Sequence, residues 1–333
     1  MGKRIIICCD GTNQKFQENR TNPLRLYYCL DNTKDQISFY DPGVGTFDRN
    51  GPDFAQNFLE RISSTVTRTL EGSAMGYGIV QNIRDAYRYL MNVYEDGDKI
   101  YLFGFSRGAF TAQAVAGLLN KCGLIYRHND NLIDYVLEIY LQRGNRRIAK
   151  EFKETMARPE CKPHFIGVWD TVESLGPSHK DDFFYDKLGN NCDHGYHAVA
   201  VDETRDDFCA DCWHDMAANL EEVWFTGWHG DVGGGLHHDG LSNIPLHWMI
   251  SKAAAHGVTF REDRCKEFEN EMDPLAPIDD PFRDFKWRLR GREPRAIPKG
   301  SKIHKSVFQR TNDPATNYKP QNLPAEKDSL IVS

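Results

Sequence analysis

Ile100-Tyr101-Leu102-Phe103-Gly104-Phe105-Ser106-Arg107-Gly108-Ala109-Phe110-Thr111-Ala112 is the stretch that decides the fold. Ile100–Phe103 is wholly apolar, the signature of a strand buried on both faces. The residues from Arg107 to Leu119 are Ala-rich and read as a helix ending near Gly123. Between the two lies Gly104-x-Ser106-x-Gly108. As a bare pattern it is weak, because glycine and serine are common. A strand directly before it and a helix directly after it give it meaning: a sharp turn that lifts a serine hydroxyl above the strand ends, with small flanking residues so that strand and helix can approach. The helix start also brings N–H groups and a positive dipole end toward that hydroxyl.

Working outward, Lys3–Cys9 is a continuous apolar strand closed by Asp10-Gly11-Thr12, and Ile37–Tyr40 is a second strand ended by Pro42-Gly43. Gly72–Gly78 reads as a loop. Apolar residues from Ile79 to Tyr94 recur at helical spacing, and Glu95-Asp96-Gly97-Asp98 ends that helix. Leu132–Leu141 is a further helix. Phe165–Trp169 and Val223–Phe225 are buried strands, and Ile244–Ala255 is a helix. Strands alternating with helices predict an α/β domain with a mostly parallel sheet covered on both faces. Residues 1–270 form the core of this expected single domain. Residues 271–333 are rich in proline and charge, yet Phe282, Phe285, Trp287, Ile303, Val307 and Phe308 favour an arm packed on the core over a free tail.

A serine is a poor nucleophile until a histidine takes its proton and an acid orients that histidine. In folds with this kind of elbow the chain order is serine, acid, histidine. Phe165–Trp169 leads straight into Asp170, and Val223–Trp228 leads into His229 and a glycine-rich loop, Gly230-Asp231-Val232-Gly233-Gly234-Gly235. Ser106, Asp170 and His229 are therefore the expected triad. Competing histidines are His194, His197, His237 and His238. Asp202 and Asp231 are the alternative acids, Asp231 being better suited to bracing the loop. Asp10, at the end of the first strand, falls on the same rim as a supporting group. The backbone N–H of Arg107, with that of Gly11 or Thr12, is the expected oxyanion donor pair. The Arg107 side chain suits either an anionic substrate group or a structural ion pair.

The chain has 333 residues and a net charge of −7, which argues against a nucleic-acid partner. No run approaches the ~20 apolar residues of a membrane span, and the five apolar residues after Arg4 are too few for a signal peptide. Position 6 is Ile6, which does not suit myristoylation of Gly2. A cytoplasmic protein is expected, with transient contact at a membrane surface left open. The nine cysteines read mostly as reduced thiols. Cys192, His194, Cys209 and Cys212, with His214 nearby, form one cluster with partial zinc-knuckle spacing, weighed against no metal at all. A metal-dependent alternative uses Asp10, Asp170, His229 and Asp231 as ligands. No cofactor is expected for the serine route.

Taken in order, Cys8–Thr12, Tyr40–Thr46, Gly104–Ala112, Gly167–Val172, His197–Glu203, Val223–Phe225, His229–Gly235 and Tyr318–Pro324 resemble one family. It is the α/β-hydrolase domain of type VI secretion phospholipase effectors, found also in standalone proteins. The resemblance covers nearly the whole chain and implies an α/β-hydrolase-like fold with Ser106, Asp170 and His229 as its triad. It implies ester hydrolysis, with phospholipase A activity among secreted members. Small soluble esters or thioesters are the alternative substrates, and a non-catalytic binding protein on the same scaffold is the alternative role. The family usually carries Trp where this chain has Asn13, and Ser where it has Gly230.

Overall fold

The computed structural model describes residues 2–11, 19–43, 74–142, 144–158, 160–172, 188–208, 210, 212–213, 217–283, 287 and 292–333. In chain order its regular elements are β1 (Arg4–Cys9), α1 (Asn22–Cys29), β2 (Gln36–Asp41), α2 (Ala74–Val93), β3 (Lys99–Phe105) and α3 (Arg107–Cys122). Next come α4 (Ile133–Leu141), α5 (Arg146–Met156), β4 (Pro163–Trp169), α6 (Leu188–Asn191), β5 (His194–Ala200) and β6 (Leu220–Phe225). The last are α7 (His229–Gly233), α8 (Asn243–Ala255), α9 (Glu262–Glu269), β7 (Lys302–His304), α10 (Lys305–Asn312) and β8 (Leu330–Val332).

Among the described residues, eight strands form one sheet in the order β2-β1-β3-β4-β5-β6-β7-β8, and every neighbouring pair is parallel. Because side chains alternate along a strand, each central strand feeds two cores. Ile5, Ile7, Ile100, Leu102, Ile166 and Val168 face the layer of α2, α3, α4 and α5. Ile6, Cys8, Tyr101, Phe103 and Phe165 face α1 and α8 on the other side. Each Ile, Val, Leu or Phe side chain so buried contributes roughly 1.5–3 kcal/mol. That explains why strands with no polar alternation are stable here.

The arm closes the far edge. Ile297, Ile303, Val307 and Phe308 pack on Val199, Val201 and Trp224 as a third core. Arg310 of α10 donates to the carbonyls of Pro274 (2.9 Å) and Ala276 (2.8 Å), which ties the arm to its own start. One expected loop is a helix: α2 begins at Ala74, so residues 74–78 extend the helix backward. Once Ile79–Tyr94 are held by packing, adding turns costs much less than nucleating them, and glycines do not prevent it.

The register sets the functional rim. Cys9 pairs with Gly104, Gly104 with Val168, Trp169 with Ala198, and Ala200 with Phe225. The carboxyl ends of β1, β3, β4, β5 and β6 therefore stand level. Asp10, Ser106, Asp170, Val201 and Thr226 are the next residue beyond each.

Candidate active site

Ser106 sits at φ 58° and ψ −123°, a left-handed backbone that a residue with a Cβ adopts only under constraint. Its N–H donates to the Trp169 carbonyl (3.1 Å), and its own carbonyl starts α3 through the N–H groups of Ala109 and Phe110. The two glycines of the motif are required by proximity. A Cβ on Gly104 would lie 2.3 Å from the Gly108 carbonyl oxygen, and one on Gly108 would lie 2.2 Å from that of Cys9. The helix is thus pressed against both β3 and β1, which fixes where the serine stands.

Asp170 and His229 meet on this rim. His229 Nδ1 lies 2.6 Å from Asp170 Oδ2. Asp170 is fully buried, with a positive φ of 41°, and Oδ1 accepts the Ala200 N–H (2.9 Å). Arg295, contributed by the arm, grips the same carboxylate with Nη1 at 2.5 Å and Nη2 at 3.1 Å. The same two Nη atoms also donate to the carbonyls of Ala200 (3.1 Å) and Phe208 (2.7 Å). Burial alone would raise the Asp170 carboxyl. The Arg295 charge and the His229 contact overcome it and hold the group well below the usual carboxylate range. An ionised Asp170 can only accept, so His229 Nδ1 carries a proton and donates to it, and in a neutral imidazole Nε2 is then the nitrogen with the lone pair.

His229 begins α7, and its position is set from three sides. Glu203, buried completely, accepts the His229 backbone N–H (3.3 Å) while its carboxylate also binds Arg205. Asp231 accepts the Trp228 N–H (2.8 Å), bracing the turn as a helix-start carboxylate does. Burial pushes that carboxyl up to about 7. Phe105, the residue before Ser106, lays its ring 4.5 Å from the His229 imidazole, and the Phe208 ring stands 4.8 Å away on edge. A Cβ on Gly233 would fall 1.9 Å from the Phe105 ring, so the histidine-bearing turn rests directly on the serine-bearing strand.

Other expected groups fall elsewhere. Asp10 accepts from Thr21 and from Tyr40 (2.6 Å), and burial pushes it up to about 6. Its other oxygen accepts the Gly11 N–H at 2.7 Å, so this donor points at its own neighbour in the present conformation. Thr12 lies outside the described residues. Burial lowers the pKa of the half-buried Arg107 guanidinium. Asp202 accepts the Gly227 N–H (2.6 Å) and the Tyr318 hydroxyl (2.8 Å), anchoring the arm. His197 is buried, with Nδ1 on Glu222 (3.0 Å) and Nε2 accepting the Thr171 N–H (3.2 Å). His237 and His238 are exposed.

The expected Cys192, His194, Cys209 and Cys212 cluster is not assembled by its described members. Cys192 is buried in the α2–α5 core and donates to the Leu188 carbonyl (3.6 Å), while Cys212 packs with the arm core. Hydrophobic burial has separated them, and Cys209 lies outside the described residues. The rim carboxylates also fail as a metal set among the described residues. Asp170 is committed to a guanidinium, and only one histidine group elsewhere has the needed convergence.

Sequence reasoning missed Arg295, Glu203 and the aromatic walls Phe105 and Phe208. Glu203 and Phe105 lie inside the family-like segments, which was the available signal; Arg295 had none.

The family model for the type VI secretion phospholipase effector Tle1-like catalytic domain matches residues 3–252. The chain belongs to that family. The Tle1-like domain is also 34% identical over 229 residues to Uncharacterized protein YEL023C of Saccharomyces cerevisiae, covering 65% of this chain and 33% of the yeast protein. It thus spans about a third of that relative's length. Among solved structures it is similar to an uncharacterized protein from Pseudomonas aeruginosa, with TM-score 0.48, 18% identity, and 82% of this chain against 49% of that one. It is also similar to the Tle1 effector bound to the VgrG spike of the type 6 secretion system, with TM-score 0.38, 18% identity, and coverage of 71% and 51%. No described helix is long and apolar enough to cross a membrane.

Proposed function

We propose that this Tle1-like domain is a serine hydrolase of carboxylic esters, with lipid esters as its first substrate class. The observation that carries the reading is the His229–Asp170 hydrogen bond of 2.6 Å beside a serine held at positive φ. Backbone strain of this kind costs about 1–3 kcal/mol and persists where it serves a task, which favours a catalytic role over a mere binding scaffold.

In the mechanism, the Ser106 Oγ attacks the ester carbonyl carbon while His229 Nε2 takes the hydroxyl proton. Asp170 holds the tautomer and stabilises the resulting imidazolium. The backbone N–H of Arg107, at the start of α3, faces the developing oxyanion, and the second donor comes from the Gly11–Thr12 turn once it releases Asp10. Collapse of the tetrahedral intermediate breaks the ester C–O bond, and the imidazolium returns its proton to the leaving alcohol. Water then repeats the sequence on the acyl-enzyme. No cofactor enters. Phe105 and Phe208 beside the imidazole give the reacting groups an apolar, poorly hydrated wall, which suits acyl chains. Small soluble esters and thioesters use the same steps and are the second reading. The thiol-rich composition favours a cytoplasmic setting.

A Ser106→Ala variant should lose about 10³-fold or more in turnover on phospholipid, short-ester and thioester panels. It should also no longer be labelled by a fluorophosphonate. Undiminished turnover would remove the serine from the mechanism, and the substrate ranking of the wild type decides between the lipid and soluble readings.

A further inference from the structure

At the opposite end of the strands from Ser106, three histidines from three elements converge. His164 is the second residue of β4, His194 the first of β5, and His256 caps the C-terminus of α8. One ring nitrogen from each falls within 4.8 Å of the other two, and all three rings are half-buried. The His194 and His256 rings stack at 3.9 Å, and the His164 ring meets His194 edge-on at 5.3 Å.

We propose that His164, His194 and His256 form a binding site for a borderline divalent transition-metal ion, zinc in the first place. Metal-binding histidines typically have one nitrogen braced by a neighbour so that the other is presented to the ion. Two of the three have that brace. His164 Nδ1 is 3.0 Å from Asp193 Oδ2, which leaves Nε2 for ligation. His256 Nε2 is 2.8 Å from the Tyr196 hydroxyl, which leaves Nδ1. Lys99 Nζ stands 3.3 Å from His164 Nε2, so a cation already seats itself on that lone pair.

A tetrahedral ion with bonds of ~2.1 Å needs its nitrogens about 3.4 Å apart. Side-chain rotations at this half-exposed edge supply the remaining contraction, with Lys99 swinging away. Three imidazoles leave the fourth position to water. An imidazole set without thiolate favours zinc, nickel, copper or cobalt over magnesium or calcium. The site joins the starts of β4 and β5 to the end of α8. Asp170 lies past the far end of β4, a strand length of roughly 20 Å away, so the ion's role is to hold elements together, apart from the chemistry at Ser106.

The test is equilibrium dialysis of the full chain against zinc, with metal analysis, and titration with Co²⁺ followed by visible absorption. One equivalent bound, a raised Tm, and d–d bands without thiolate-to-cobalt charge transfer are expected. His194→Ala, a half-exposed position, should weaken binding at least tenfold and abolish the Tm rise, with fluorophosphonate labelling unchanged. Lys99→Ala should bind more tightly than the wild type. Should His194→Ala destabilise the fold, the Lys99 variant and the cobalt spectrum still decide the matter. Equal uptake by wild type and His194→Ala, a cobalt–thiolate spectrum, or no uptake at micromolar zinc would overturn the proposal.

Discussion

Arg295 shows most plainly how a single side chain sets the charge of the site. A carboxylate removed completely from water is stable as an anion only when paired and hydrogen-bonded. Asp170 has a guanidinium on both oxygens, an imidazole on one and a backbone N–H on the other. Its pKa is held below the unfolded value, so the unfolded chain binds more protons in acid. The stabilisation is therefore complete above about pH 4 and is lost as pH falls through the folded value. Replacing Arg295 with Met leaves the buried charge uncompensated, and about 3–5 kcal/mol of stability should go with it. The carboxyl should then rise, moving acid unfolding and the acid limb of fluorophosphonate labelling to higher pH. Urea unfolding and labelling rates across pH measure both. An Arg295→Met protein with wild-type profiles would show that the ion pair is incidental to Asp170.

At the scale of elements, the site is a contact between a strand end and one short helix. α7 has five residues, too few to be stable alone. Its place is set by Glu203 on the His229 N–H, by Asp231 on the Trp228 N–H, and by Gly233 against Phe105. The Gly233→Ala change puts a methyl inside the Phe105 ring volume, so α7 must lift. Overpacking of this sort costs typically 1–3 kcal/mol. A displacement near 1 Å at a catalytic group can lower turnover about 10²-fold. Turnover should therefore fall far more than the chemical-denaturation midpoint. Equal activity in Gly233→Ala would mean that His229 does not depend on this contact. Local pattern made α3 and α8 legible, since buried positions recur along them. It hid α5, where only Ala149 and Phe152 are buried on an otherwise charged helix. It also hid β5, whose His194-Gly195-Tyr196-His197 start lacks an apolar run.

For the molecule as a whole, the arm is where fold and site join. β7 and β8 extend the sheet, Ile303, Val307 and Phe308 complete a core, and Arg295 enters the rim at Asp170. The family match ends at residue 252, before any of these. We propose that residues 1–333 fold as one unit. A chain cut after residue 270 should lose its near-ultraviolet circular dichroism and its cooperative transition, and with them fluorophosphonate labelling. A truncated chain that unfolds cooperatively and labels normally would make the arm accessory.

The sequence by itself determined the central strands β1, β3 and β4 and the turn at Ser106, and it singled out Asp170 and His229, which the fold hydrogen-bonds to each other. Each of these is written in a few adjacent residues: an unbroken apolar run, a glycine pair at fixed spacing, a polar residue just past a strand. Only the tertiary structure decided which partners complete them. Arg295 stands 125 residues from Asp170 in a proline-rich segment without periodicity, and of the cysteines expected to cluster, Cys192 lies in one core while Cys212 packs against another. Pairing across such distances depends on sheet order and on which face of each element is buried, and short-range pattern carries neither.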